Sequence, residues 1–448
     1  MKKFLVIWIG QVISILGSGL TSFALGVWIF DQTGQATPFA LTVLFGNLPR
    51  ILLSPIAGSL ADRWNRRWLM ILSDSGDALV TLGVVVLLMF GNLQVWQIYA
   101  IALLSAVFAA FQEPAYTASI TMLVDKKDLA RANGLVQMSQ AIEMLVAPLL
   151  AGVLFVAIGL RGIILIDFIT YFFAVGALLI TQIPQPKLAM AEAGNKATFL
   201  QDFLFGWRYL KARTGLLGLL IYFALVNFLL NFSAVLMGPL VLSFAPANTL
   251  GLVQMASGAG MLVGSILISA WGGPQRRING VIGFITLAAF GLMITGARAN
   301  AFFPAAGLFL LLFCVPLASG PSQAIFQSKV AADVQGRVFA MRGMISRSMM
   351  PLAFLLAGPL ADYVFEPLMR QGGALASTQV GNLLGIGAGR GIGLIFAISG
   401  TVLVGASALA YSNPRIRLVE DELPDAVLEA AQEAELIDET KKTEAVAA

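Results

Sequence analysis

The chain has 448 residues, 58% hydrophobic and 12% charged, with a net charge of +4 and no histidine. A soluble domain carries roughly twice that charged fraction, so the composition excludes a water-soluble protein and points to one that crosses a membrane many times. The basic residues fall in loops on one side, which speaks against nucleic acid as a partner; the lack of histidine removes the commonest metal ligand and proton shuttle, and the single cysteine, Cys314, excludes an internal disulfide.

Met1-Lys2-Lys3 before an apolar run to Phe30 imitates a secretory signal. The run is too long for one and no small-residue cleavage site follows a short core, so it reads as the first crossing. A crossing takes about 20 mostly apolar residues. The candidate spans are about 4–30, 38–61, 68–91, 94–118, 132–158, 162–183, 215–243, 249–271, 278–297, 301–325, 337–365 and 390–411, twelve in all. Between spans two and three lies Gly58-Ser59-Leu60-Ala61-Asp62-Arg63-Trp64-Asn65-Arg66-Arg67, a hinge so short that its helices must be antiparallel neighbours. Gly58 is expected to let the two backbones approach, and Asn65 to take a left-handed turn. Lys and Arg crowd this hinge and every alternate loop, while the opposite loops hold only Arg161, Arg298, Arg370 and Arg390. That asymmetry predicts both termini in the cytoplasm.

The longest connection on the basic side is 184–214. Phe199, Phe203, Leu204, Trp207 and Leu210 recur there at helical spacing, which predicts an amphipathic helix lying in the interface. The segment 414–448 is acidic and reads as a mobile or solvated tail. The expected organisation is a six-helix bundle at 1–183, the linker at 184–214, a second six-helix bundle at 215–413 and the tail at 414–448. The halves echo each other: Leu149-Leu150-Ala151-Gly152 follows Arg131 as Leu355-Leu356-Ala357-Gly358 follows Arg337. A glycine-rich stretch, Gly387 to Gly391, has no strand before it and is not a dinucleotide loop; no G-x-x-x-x-G-K-[ST] occurs either, so no cofactor is expected and ATP is not the direct energy source.

The hinge resembles the signature loop of the major facilitator superfamily, G-x-L-x-D-R-x-G-R-R, with Asn65 in place of its second glycine. Leu129-Ala130-Arg131-Ala132-Asn133-Gly134-Leu135, Gln335-Gly336-Arg337-Val338-Phe339, Gly358-Pro359-Leu360-Ala361-Asp362 and Gly389-Arg390-Gly391-Ile392-Gly393-Leu394 resemble the bacterial branch with macrolide-efflux and enterobactin-export proteins. The resemblance implies an all-α membrane protein of twelve transmembrane helices in two pseudo-symmetric bundles. It also implies a monomer of the bacterial inner membrane that exports an amphipathic small molecule (a drug, macrolide or siderophore) by alternating access, with protons as the coupling ion and the lipid bilayer as its surroundings. Two departures bear on coupling: span four lacks the arginine of drug–proton antiporters, and Glu143 stands where their span-five signature begins with glycine. Rival readings are a lysophospholipid flippase of the same fold, a non-transporting membrane sensor, and a membrane-embedded enzyme; the lack of nucleophile or metal clusters weighs against the last.

A charge inside the bilayer is costly and marks function unless it is paired for structure. Arg50 and Glu143 each lie twelve residues from a charged helix end, about 18 Å deep and near the midplane. Asp74 and Asp77 share a face of span three, Glu113 precedes Pro114 in span four, and Asp167 lies inside span six. Arg50 is expected to pair with Glu143 or Asp77, with protonation of the carboxylate helping to switch states. Gly58, Asp62, Arg63, Arg66 and Arg67 read as a gate on the basic side, facing Arg337 or Arg342 across the halves. Asn47, Asn227 and Asn231 are sparse polar groups that either line the path or bond helices together.

Overall fold

The computed structural model describes residues 1–91, 93–125, 128–183, 207–330 and 334–422. Eleven long helices carry it: α1 (Lys2–Thr33), α2 (Ala36–Arg63), α3 (Arg66–Met89), α4 (Val95–Leu123), α5 (Leu129–Ile180), α6 (Thr214–Leu242), α7 (Ala247–Trp271), α8 (Arg277–Gly296), α9 (Phe302–Lys329), α10 (Gln335–Leu360) and α11 (Arg390–Ser412). Each holds a stretch long and apolar enough to cross a membrane, and no strand occurs among the described residues. Large apolar side chains such as Leu79, Ile180 and Leu409 face outward, as contact with lipid requires.

The 52 residues of α5 would make a rod of about 78 Å if straight, against a hydrocarbon core of about 30 Å. Gly159 breaks it, at φ 65 and ψ −176, a conformation that a side chain would forbid. The contacts of α1 show what the break does. Trp8 Nε1 donates to Leu135 O at 2.9 Å and Gly19 lies against Ala147, so α1 runs parallel to the first arm. Gly10 lies against Ala177 and Gly17 against Asp167, so α1 is antiparallel to the second arm. The arms therefore form a hairpin turned at a single residue, where two spans separated by a short loop were expected. With both arms counted, the described residues are consistent with twelve crossings.

The hinge after α2 differs from expectation in two details. Asn65 is extended, at φ −65 and ψ 109, and its side-chain oxygen accepts from Trp68 N at 3.3 Å. It works as an N-cap for α3, which needs a short polar side chain and no left-handed backbone. Gly58 has no neighbour within 4 Å of where a Cβ would stand, so it does not bring α2 and α3 together. The arginines fasten the hinge within its own half. Arg66 is buried and donates to Ala61 O at 3.2 Å and Ala118 O at 2.7 Å; Arg67 donates to Leu178 O at 2.7 Å and Leu179 O at 2.6 Å. Both cations thus meet carbonyls in the last turns of α4 and α5, where the helix dipole favours positive charge.

The second set of helices packs through glycines, as apolar helices in lipid must, since only close backbone approach rewards their association. Gly260 and Gly264 of α7 meet Phe309 and Phe313 of α9, Gly291 of α8 meets Gly307 of α9, and Gly296 of α8 meets Gly393 of α11. After α11 the chain continues in two short turns, Pro414–Arg417 and Val419–Glu422. Ile416 and Val419 are buried, Lys329 Nζ donates to Glu420 O, and Glu420 Oε2 accepts from Ile278 N at 2.9 Å on the first turn of α8. The start of the expected solvated tail is therefore docked, because two apolar side chains and a helix-capping carboxylate anchor it. The rest of the tail, and most of the expected amphipathic linker helix, lie outside the described residues; Leu210 is buried.

Successive crossings alternate in direction, so the molecule has a near end, which carries Met1, and a far end. The two sets of helices meet towards the far end. Gly358 of α10 sits against Thr37 of α2, Gly152 of α5 against Ala247 of α7, Gly251 of α7 against Pro148 of α5, and Gly238 of α6 against Phe39 of α2.

Candidate functional site

α1 presents Gln11, Ser14 and Ser18 along one stripe, at intervals of three and four residues. That stripe forms one wall of a polar cavity of about 300 Å³. α2 contributes Arg50 to it, α3 Asp74 and Asp77, α4 Gln112 and Glu113, and the first arm of α5 Gln140 and Glu143. A relay crosses the cavity: Gln112 Nε2 donates to Gln11 Oε1 at 2.8 Å, and Gln11 Nε2 donates to Asp74 Oδ2 at 3.2 Å. Behind it lies a small void of about 30 Å³, walled by Asp74, Asp77 and Asp167 together with Ser14, Ser18 and Tyr171. Asp167 is buried, and its Oδ1 accepts from Ser18 Oγ at 3.3 Å. The void has room for about one water molecule.

A larger chamber of about 830 Å³ lies between the two sets of helices. Its walls are mainly apolar, with Phe23, Phe39, Met144, Met237, Met261 and Leu312 among them. Flexible methionines and flat rings suit an adaptable surface rather than a single tight fit. Its polar groups include Gln140, Glu143, Asn227, Asn231 and Gln254. Glu143 and Gln140 belong to both the chamber and the carboxylate-lined cavity, so a carboxylate stands where the two spaces adjoin.

A third space of about 240 Å³ opens within the second set of helices, lined by Phe223, Asn227, Cys314, Ser319 and Arg342 among others. Asn227 is common to it and the chamber. The Arg342 guanidinium donates to Gln323 Oε1 at 2.9 Å and Ser322 Oγ at 3.1 Å, and lies 4.4 Å from the centre of the Phe326 ring. Its partners among the described residues are neutral, a polarised ring among them.

The structure thus brings Arg50, Asp77, Glu113 and Glu143 into one cavity and puts Asp167 in the adjoining void. Asn227 and Asn231 line the chamber, each amide nitrogen already donating at 2.8 Å to a carbonyl of its own helix. Asn47 does not line these spaces; it donates to Val43 O at 2.8 Å, one turn back on α2. Arg342 lines the wall of the space within the second set of helices, and Arg66 and Arg67 bond to carbonyls of their own half. The side chains of Asp62, Arg63 and Arg337 lie outside the described residues. Among the described residues no cluster of three or more His, Cys, Asp or Glu could hold a metal.

Two features escaped sequence reasoning. The serines of α1 were legible as a polar stripe in an otherwise apolar span. Asp362 was visible only as part of a motif; in the structure its carboxylate accepts from Ala36 N at 2.9 Å, Thr37 N at 2.7 Å and Thr37 Oγ1 at 2.5 Å, all on the other set of helices.

A sequence profile of the Major Facilitator Superfamily matches residues 7–354. Macrolide efflux protein A of Streptococcus pyogenes is 28% identical over 372 residues, covering 81% of this chain and 90% of that protein. Multidrug efflux pump Tap of Mycolicibacterium fortuitum is 25% identical over 362 residues, covering 77% and 86%. Among solved structures, a bacterial homologue of the human lysosomal transporter Spinster, inward-facing and unoccupied, superposes with a TM-score of 0.68 at 14% identity, over 91% of this chain and 95% of that one. That likeness is one of fold.

Proposed function

The chain belongs to the Major Facilitator Superfamily, and from that premise we propose that it exports an amphipathic small molecule by alternating access, driven by protons. It is a multi-pass membrane transporter with apolar helices throughout. In this reading two six-helix bundles, 1–183 and 215–413, rock about the chamber, and the linker 184–214 joins them. The chain works as a monomer in the bacterial inner membrane with both termini in the cytoplasm, so the near end is the cytoplasmic one. The far-end contacts then make this an inward-open form.

One observation carries the proposal: Glu143 stands in the wall shared by the apolar chamber and the carboxylate-lined cavity. A carboxylate there is offered both to the polar or basic group of an amphiphile and, through the Gln140 side, to a proton arriving from the cavity. Arg50 lines the same cavity and competes for Glu143 and Asp77. Cargo binding that draws Glu143 away from Arg50 changes the cost of its charge, and that change links cargo release to proton uptake. The efflux names of the relatives support a drug or macrolide class of cargo. Asp62, Arg63 and Arg337 are proposed to form the near-end gate.

The test uses the purified chain in sealed proteoliposomes with an imposed pH gradient. Uphill movement of a macrolide or a cationic dye that collapses with the gradient is the expected result. Uphill movement by Glu143→Gln at an unchanged pH dependence would remove the coupling role. A second reading, a lysophospholipid flippase, draws on Arg342: a cation with neutral partners beside an apolar space suits an anionic headgroup. Transfer of lysophosphatidylglycerol in preference to dye or macrolide would favour it. Saturable binding of any of these probes without flux would point instead to a sensor.

A further inference from the structure

The second set of helices is short of negative charge at its far end. Between residues 214 and 413 the chain has three acids, Asp333, Asp362 and Glu366, and the last two lie at that end. Both are engaged by backbone: Asp362 on the first turn of α2, and Glu366 on the start of α11, where Oε2 accepts from Gly389 N at 3.2 Å and Oε1 from Ile392 N at 3.0 Å. Three arginines stand at the same end: Arg298 after α8, Arg370 after α10 and Arg390 at the start of α11. They are three of the four cations in the far-end loops, on the side that the charge asymmetry otherwise keeps bare.

Arg390 is buried, and its Nη1 donates to Gly296 O at 3.4 Å and Leu384 O at 3.2 Å. Its Nε and Nη2 are buried with no hydrogen-bond partner among the described residues. Glu366 acts on its charge through space, with both carboxylate oxygens turned to N–H groups. A buried cation so thinly matched leaves a positive field around it. Arg298 is within electrostatic reach of Arg390, and Arg370 of Glu366. Both are exposed, and neither side chain makes a hydrogen bond or ion pair among the described residues. Arg161, the far-end arginine of the first half, differs: its Nη2 donates to Leu88 O at the end of α3. Phe302, Tyr363, Leu383 and Ile386 are exposed at this end of the second half, and such rings and apolar side chains suit the level where headgroups meet hydrocarbon.

We propose that the far end of the second bundle is a binding surface for an anionic phospholipid of the far leaflet, its phosphate set against Arg298 and Arg370 and its chains against the exposed apolar side chains. A phosphodiester supplies the counter-charge that these arginines lack. The two free guanidinium groups offer it charge-assisted donors, and its charge offsets that of Arg390 behind them. A zwitterionic headgroup brings its own cation and loses most of that gain. The surface needs the bilayer but neither cargo nor protons.

The test uses the full chain with Cys314→Ala and a nitroxide on Gln371→Cys, in nanodiscs of equal parts phosphatidylglycerol and phosphatidylcholine. Each lipid gives its own phosphorus NMR signal, so each reports its approach to the label. The phosphatidylglycerol signal should broaden severalfold more than that of phosphatidylcholine, two surface cations being enough to enrich an anionic lipid locally by about tenfold. Arg298→Gln with Arg370→Gln should remove the difference, whereas Arg161→Gln, which changes an arginine already bonded elsewhere, should keep it. Equal broadening of the two lipids around the parent protein would overturn the surface. So would a preference that survives the double arginine variant with parental circular dichroism. Loss of the preference on adding millimolar inorganic phosphate would reveal a site for the free anion and overturn the assignment to lipid.

Discussion

The two bundles share a scaffold and differ in what they put inside it. Among the described residues, the cavities of the first are lined by Asp74, Asp77, Glu113, Glu143 and Asp167 with Arg50, whereas the space inside the second is mainly apolar with Arg342 on its wall, and its buried Glu366 and Arg390 lie apart from that space. The halves share the helix arrangement and the Gly-x-Leu-Ala-Asp ending of α2 and α10, but their interior chemistry differs. The first bundle is built to handle charge and the second to offer apolar shape, and the chamber between them borrows from both.

The sharpest way to break this comparison is to remove the charge at the junction. Glu143→Gln should abolish uphill transport, at least tenfold below the parent, while a dye still equilibrates down its own gradient in the same liposomes. Loss of both modes together would mean that Glu143 serves binding alone. A smaller effect is expected from Asp74→Asn. It leaves Gln11 without its charged acceptor and should slow proton-driven transport severalfold, measured as proton flux into liposomes at saturating cargo. Arg342→Gln should spare proton flux and cut transfer of an anionic amphiphile several times more than that of a cationic dye; equal losses for both would place Arg342 in packing rather than recognition. Gly17→Ala pushes a methyl against Asp167 and Thr170, and should cost about 1–3 kcal/mol, read as a lower thermal transition in detergent. The smallest effect belongs to Arg67→Ala. It frees two carbonyls at the end of α5 and should cost about 1 kcal/mol with transport intact.

Much of this architecture was legible in the chain. Apolar runs of about 20 residues located the crossings, because lipid allows a helix few alternatives. The hinge was legible as a turn but not in its workings. A local pattern shows that Asn65 can turn a chain, whereas its bond to Trp68 N depends on where α3 starts. Gly159 passed unnoticed among many glycines, since only tertiary contact reveals which one carries the reversal. In the site, depth along a helix was enough to bring Arg50 and Glu143 to one level. Rotation about the helix was not readable in spans apolar on every side, so Asn47 looked equivalent to Asn227 although only Asn227 lines the chamber. Asp362 was hidden for another reason: its partners lie more than three hundred residues away, and two of the three are backbone groups that any sequence would supply.

The arginine pair of the hinge has a mechanical corollary. Arg66 grips the last turns of α4 and Arg67 those of α5, while the turn between α2 and α3 is too tight to stretch. Four helix ends are thereby riveted into one plate. Four crossings of one half thus share a single anchored margin, so a loss at any one of these bonds loosens the margin locally and leaves its other fastenings in place.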